Sequence, residues 1–343
     1  ATLESLLAEN KEYASAANVL YELGWAYTNR NQPDNAVATF AKLATDHPGS
    51  SLAAEANLHV AEAQYAKGEL ANAVKSYEAA KSKAEPGEVA ERAAHKLGWA
   101  LFRQEKYDAA LAEFDAQLKA YADGSLAPDG LFMKGECLYK LKRYGDALEA
   151  FTAATKKPSA DPQKQVLTLL HGGQSAGLDG NWQTSLEMLE QIATKFPDTP
   201  YLAEAIYERG FAKQNLKKLD EAVKDYEQAA ELSRGEVGAR GQFMVGEVLF
   251  EQKKFDAAIR AFKRVMYGYG GEQAPDDVKQ WQAVAGYEAG RCAEVQIKSA
   301  SDASAKAKLI ADAKSSFSYV VQRHPKHDKV QQAKEQLSKL DKL

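Results

Sequence analysis

The stretch "GECLYKLKRYGDALEAF", Gly135 to Phe151, decides the fold, because nearly the same phrase recurs along the chain. "GWALFRQEKYDAALAEF" runs from Gly98 to Phe114, and "GEVLFEQKKFDAAIRAF" from Gly246 to Phe262. Each copy opens on a small residue and continues as a helical stretch. An aromatic beside Asp or Gly follows, then Ala and a second aromatic at fixed spacing. Anchored on the opening small residue, the copies fall at Gly24, Ala61, Gly98, Gly135, Gly173, Gly210, Gly246 and Gly290. The steps between them are 37, 37, 37, 38, 37, 36 and 44 residues. Self-similarity at such a period marks a solenoid, in which each unit is one supersecondary element stacked on the next.

Each recurring position has a physical task. Twelve residues after the first seven anchors stand Ala36, Ala73, Ala110, Ala147, Ser185, Ala222 and Ala258. Small side chains there and at the anchor let two antiparallel helices approach closely. Four residues further come Phe40, Tyr77, Phe114, Phe151, Leu189, Tyr226 and Phe262, which are expected to fill the gap between one pair and the next. In the eighth unit the matching Ala313 and Phe317 are delayed by an 11-residue insertion around "KSASDASAKAK". Asp34, Asn72, Asp108, Asp146, Asp220 and Asp256 read as turn or cap residues before the second helix. Pro48, Pro197 and Pro325 end second helices, which proline cannot continue.

Composition agrees with helices. The 343 residues exceed one ordinary compact core, and only 10 are proline. A formal charge of −4, from 44 basic and 48 acidic residues with no long basic run, does not favour nucleic acid as a partner. No apolar run approaches the roughly 18–20 residues of a membrane span. Two cysteines, Cys137 and Cys292, do not define the fold by disulfides. Both follow an anchor glycine by two residues and read as small buried groups.

The pattern resembles the tetratricopeptide repeat over nearly the whole chain. Leu23-Gly24, Tyr27, Ala36, Phe40 and Pro48 carry the resemblance in the first unit, at a period of 37 rather than the family's usual 34. It implies an all-α, right-handed superhelical solenoid of about eight helix-turn-helix units. The phrases "TDHPGSSLAAEA", "TKFPDTPYLAEA" and "QRHPKHDKVQQA" look like the variant common in bacterial envelope proteins, such as the Tol-Pal coordinator and the outer-membrane-assembly lipoproteins. That likeness implies a bacterial periplasmic or cell-envelope location, with the cytoplasm as the alternative.

The expected organisation follows the repeat. Residues 1–14 read as the second helix of a truncated preceding repeat, with Leu3 and Leu6 in the places of Phe40 and Leu43. The chain is therefore expected to be a segment of a longer protein. Residues 15–265 hold seven repeats, 266–280 an inter-repeat loop, 281–326 the eighth repeat with its insertion, and 327–343 a capping helix. In that helix Val330, Ala333, Leu337 and Leu340 are expected to face inward, since the last unit has no neighbour.

Catalytic signatures are sparse. GxxxxGK[ST], HExxH and CxxC do not occur, and no catalytic residue and no cofactor is expected. "GYGGE", Gly268 to Glu272, follows no strand and reads as a loop, within a longer linker that is a candidate secondary site. His324 and His327 read as exposed residues beside Pro325, and His171 as a helix residue at a tight contact. No metal site is expected.

The resemblance also places certain first-helix positions on the concave side of the superhelix: three before the anchor and one, four and five after it. Trp25, Trp99 and Phe211 stand one after, and Tyr65, Phe102, Tyr139 and Phe250 four after. Arg92, Arg103, Arg240 and Arg291 lie next to them. These eleven residues are the candidate partner-binding set, because aromatics and arginine most often anchor interfaces. The competing structural account packs the aromatics between adjacent helices. Trp25, Trp99 and Phe211 are favoured because other units carry Glu at their position, which indicates a wet site. The expected role is a non-catalytic scaffold that holds an extended peptide or a helix of a protein partner. The alternative is a carbohydrate or cell-wall binding module with Trp25 and Trp99 as stacking platforms.

Overall fold

Helix follows helix in the computed structural model, which describes residues 2–9 and 13–343; among these residues there is no strand. The chain divides into two compact units, Ala1–Ser175 and Ala176–Leu343.

The first unit opens with α1 (Thr2–Glu9). Four helical pairs follow: α2 (Ala16–Asn29) with α3 (Pro33–Asp46), α4 (Ala53–Ala66) with α5 (Leu70–Lys83), α6 (Glu88–Arg103) with α7 (Tyr107–Ala120), and α8 (Ala127–Lys140) with α9 (Tyr144–Lys156). The unit boundary falls inside α10 (Pro162–Leu178). The second unit continues with α11 (Trp182–Lys195), then α12 (Leu202–Asn215) with α13 (Leu219–Leu232) and α14 (Glu236–Glu251) with α15 (Phe255–Tyr267). It ends with α16 (Asp276–Ile297), α17 (Ala303–Arg323) and α18 (Lys329–Leu340). Part of the expected N-terminal segment, residues 10–12, lies outside the described residues.

One turn closes seven of these pairs. Asn31, Gly68, Glu105, Lys142, Gly180, Lys217 and Lys253 all adopt positive φ, between 55° and 84°. Each stands seven residues after its anchor. The amide one residue later bonds back across five residues, as in Gln32 N–H to Tyr27 O and Arg143 N–H to Leu138 O, both 2.9 Å. That six-to-one bond over a left-handed residue is the Schellman motif, which satisfies carbonyls left over at the helix end.

The same turn corrects the expected capping. Asp34, Asp108, Asp146, Asp220 and Asp256 stand inside the first turn of the second helix, and the cap positions are Gln32, Lys106, Arg143, Lys218 and Lys254. None of these five side chains caps its helix by accepting from a backbone N–H. The left-handed residue turns the chain so sharply that the helix starts earlier, and the aspartates instead offset the positive helix end. Asn72 also lies within its helix and donates to Glu69. Side-chain capping occurs at Asn181, which accepts from Thr184 N–H, and at Asp302, which accepts from Ala305 N–H.

In six of the pairs an anchor glycine meets the aromatic of the second helix. A Cβ on Gly24, Gly98, Gly246 or Gly290 would lie 2.4–2.7 Å from the ring of Phe40, Phe114, Phe262 or Phe317. The ring thus closes its own pair first, and also reaches onward: Phe40 stacks on His59 of the following unit at 4.7 Å. The insertion in the eighth unit lengthens α16 and α17 to 22 and 21 residues and leaves the Gly290–Phe317 contact intact. Ala333 and Leu340 of α18 are buried, and Val330 and Leu337 pack half-buried against the same cluster.

Candidate binding face on the first helices

In the first unit, successive first helices are joined by polar and aromatic rungs. From α2 to α4, Trp25 meets His59 edge-on at 4.9 Å. From α4 to α6, Glu62 accepts from Arg92 at 2.8 Å, while Arg103 sits 5.0 Å over the Tyr65 ring. From α6 to α8, His95 Nε2 lies 3.3 Å from Asp129. From α8 to α10, Asp129 pairs with Lys164, and Glu136 meets His171 Nδ1 at 2.5 Å. Burial pushes the Glu62 carboxyl up, but hydrogen bonds from His59 and Arg92 outweigh it and hold the pKa below its ordinary value. Asp129 is balanced the same way, with burial opposed by His95 and Lys164.

His95 is the fixed centre of this face. It is 3 % exposed, with Nδ1 at 3.0 Å from Gln117 Oε1 and Nε2 accepting from Trp99 Nε1–H at 3.1 Å. Gln117 Oε1 makes Nδ1 a donor, while Nε2 faces both the indole N–H and the Asp129 carboxylate. The bond sets the orientation of the Trp99 indole. Trp99, Arg92, Lys96, Asp129 and Lys164 line an open cavity of about 390 Å³ at this point.

In the second unit, Phe211 is 37 % exposed and meets Trp182 edge-on at 5.5 Å. Arg240 lies 3.9 Å over the Tyr207 ring and pairs with Glu204 at 2.8 Å. Arg291 sits 5.9 Å over Phe250 and pairs with Glu288 at 2.6 Å. Glu247 and Glu288 face each other in partly buried surroundings. Burial and the Glu288 charge push the Glu247 carboxyl up to about 7.

Of the eleven candidates, Arg92 and Trp99 share one cavity, Tyr65 pairs with Arg103, Trp99 with Phe102 at 6.4 Å, and Phe250 with Arg291. Trp25 is half-buried against Phe40 and His59, and Tyr139 against Tyr144 and His171. Phe211, Arg103 and Arg291 are exposed, and Arg240 is half-buried. His95, Asp129 and Lys164 were not among the candidates. Their only signal is a titratable residue on a first helix where other units carry Leu, Tyr or Phe, as at His95. His324 also departs from its expected exposure. It ends α17, with its ring against Tyr319 and its Nε2 buried without a partner among the described residues. No cluster of metal-ligating side chains occurs among the described residues. No helix among them is long and apolar enough to cross a membrane.

Residues 7–170 match a family profile for the tetratricopeptide repeat-like domain, and residues 207–277 one for the tetratricopeptide repeat. No curated protein matches the chain. Among solved structures, the C-terminal part of a repeat-containing protein from Cytophaga hutchinsonii is similar with a TM-score of 0.52. Its identity is 14 %, and the match covers 91 % of this chain and 98 % of that one. A tetratricopeptide repeat protein from Parabacteroides merdae gives 0.49 at 15 % identity, covering 78 % and 98 %. YrrB, a protein of this repeat class with an unusual peptide-binding site, gives 0.48 at 21 % identity, covering 60 % and 97 %. The repeating glycine–aromatic pairs and the two matched segments, which together exceed half its length, agree that this chain belongs to the tetratricopeptide repeat proteins.

Proposed function

We propose that the chain is a non-catalytic scaffold that holds an extended peptide of a protein partner on its first-helix face. Proteins of this repeat family generally act as scaffolds for protein interaction. The observation that carries the reading for this chain is the cavity beside Trp99. It combines a half-buried indole with three cations, Arg92, Lys96 and Lys164, and two carboxylates, Glu88 and Asp129. An indole held by His95 is a preorganised anchor, and the cations around it select for an acidic neighbour in the peptide. The envelope-like phrases at Pro48, Pro197 and Pro325 support a periplasmic or cell-envelope setting, which cell fractionation tests.

Binding is measured against arrays of blocked peptides, with helicity checked by circular dichroism. Trp99→Ala and Lys164→Glu are each expected to keep the fold and to weaken the bound peptides about tenfold, a loss of ~1.4 kcal/mol. Affinity is expected to fall as salt rises. Salt-independent binding of a polysaccharide that is lost with Trp99→Ala would instead assign the face to carbohydrate.

A further inference from the structure

A second cavity, of about 780 Å³, lies in the second unit between the end of α15, the turn after it and the last turns of α17. Other connections between pairs are short, as in His47–Leu52 or Phe196–Tyr201. Here residues 268–275 form a longer turn, with a 3₁₀ segment at Gly271–Gln273. The turn is built rather than slack. Gln282, 1 % exposed, donates from Nε2 to the carbonyls of Gly268 and Gly271, both at 3.2 Å. Tyr319 donates its hydroxyl to Met266 O, and Arg323 pairs with Glu272. Tyr269, Gly270 and Gly271 are all left-handed, at φ 53°, 93° and 52°.

The wall mixes polar and apolar groups and is net cationic. Among its lining residues the charged groups are Lys279, Arg323 and Glu272. Lys279 has only a 3.8 Å contact to Asp276, a carboxylate that is 99 % exposed. Ser315, Ser318 and Gln322 line the cavity from one stripe of α17, spaced three and four apart. His324 ends the stripe with its unpartnered Nε2. At 1.5 Å per residue the stripe spans roughly 10 Å, the length of about three residues of extended chain. Tyr267, 61 % exposed, stands at the rim edge-on to Tyr319 at 5.3 Å.

We propose that this cavity binds a short extended peptide segment through an acidic side chain. The ligand carboxylate takes Arg323 from Glu272 and is shared with Lys279. The peptide backbone runs along Ser315, Ser318 and Gln322, and an apolar neighbour lies against Tyr267 and Tyr319. Guanidinium–carboxylate pairing fits Arg323, whose present partner is a rim residue 72 % exposed. The site is separate from the first-helix face and does not depend on its role.

The test uses an array of N-acetylated, C-amidated hexapeptides with Glu or Asp beside Tyr or Leu, each with a Gln or Asn twin. Binding is read by fluorescence anisotropy and by the ¹⁵N signals of the histidine rings, with His324→Gln used for assignment. Acidic members are expected to bind at least about tenfold tighter than their twins and to move the His324 signal. Arg323→Gln is expected to remove about tenfold of that affinity. Glu272→Gln is expected to increase it by about threefold, because Arg323 is released. The His324 signal reports this cavity alone, and its response to the acidic members is expected to be the same in Trp99→Ala, which separates this site from the first-helix face. Equal binding of the twins, failure of every acidic member, or insensitivity to Arg323→Gln overturns the proposal. Free succinate that moves the His324 signal as strongly as any peptide overturns it too, in favour of a small carboxylate.

Discussion

A methyl group placed on Gly135 would stand 2.6 Å from Cε1 of Phe151, inside the contact surface of a fully buried ring. The two helices of that pair are therefore as close as the phenyl ring allows. Ala at mid-helix gains about 1 kcal/mol of propensity over Gly, while overpacking a core costs about 1–3 kcal/mol. Gly135→Ala and Gly246→Ala are thus expected to lose about 1–2 kcal/mol in urea denaturation. Gly210→Ala is expected to be near neutral, since its Cβ would meet Tyr226 at 3.0 Å. An order with Gly210→Ala as the most damaging would show that the ring does not set the spacing.

The left-handed turn residues give a prediction of opposite sign. Glu105, Lys142, Lys217 and Lys253 hold φ near 60° with a Cβ, which costs about 1–2 kcal/mol each. Glycine removes that strain but loosens the unfolded chain by about 0.4–1 kcal/mol. Lys142→Gly and Lys217→Gly are each expected to stabilise the protein by about 0.5–1 kcal/mol in thermal unfolding. Lys142→Ala is expected to change little, because the β-carbon and not the charge carries the strain.

Arg209 and Asp225 form the most buried ion pair described in the second unit. Two guanidinium nitrogens reach the two carboxylate oxygens at 2.9 and 2.6 Å, and Lys213 adds a 2.8 Å contact to Asp225. Removing Asp225 leaves the buried guanidinium and Lys213 to the more exposed Glu190 and Glu221. Asp225→Ala is expected to cost about 3–5 kcal/mol, and the double change Arg209→Met with Asp225→Leu to recover most of it. A chevron analysis of both variants measures the difference. If the single and double variants are equally unstable, lost packing rather than the stranded charge is responsible.

Glu247 and His324 oppose each other in the pH profile. The Glu247 pKa is raised from its ordinary 4.5 to about 7, so the unfolded state releases its proton first. Its contribution is present below pH 4.5 and is lost as pH rises toward 7. Burial pulls His324 down from 6.5 to about 4, so the unfolded state takes up the proton first. Its contribution is present above pH 6.5 and is lost as pH falls toward 4. These two contributions are therefore expected to offset each other between pH 4.5 and 6.5. Glu247→Gln should make it rise with pH across that window, and His324→Gln should make it fall. Melting temperatures in a buffer series measure both slopes.

The repeat and its core were legible because they depend on spacing alone. Small residues, Ala and aromatics at fixed offsets specify how two helices touch, whatever lies beyond. The turn was less legible. Gly68, Gly180 and Asn31 advertise a left-handed residue, whereas Glu105, Lys142, Lys217 and Lys253 are held there by the six-to-one bond. For that reason the aspartates read as caps, although they lie two or three residues past the cap, within the first turn. The binding face was legible by position but not by contact. Trp99 was visible as an exposed-type position, yet nothing local to it reveals that His95, Gln117 and Asp129, from three different helices, fix its ring. Similarly, "GYGGE" reads as a loop, while its attachment to Gln282 and Arg323 depends on residues up to 51 positions away.

The left-handed turn also meters the chain. Glu105 and Lys142 adopt the same backbone conformation 37 residues apart, and each is followed by the same hydrogen bond. Excising residues 105–141 would join Gln104 directly to Lys142 without changing the geometry on either side of the junction. A copy of that cassette could be pasted in as cleanly. Such an array grows or shrinks by whole units, and a partial insertion is absorbed only in the connections that lack this turn. The eighth unit, which carries the 11-residue insertion and no left-handed residue at the equivalent Ile297, is where the metering has lapsed.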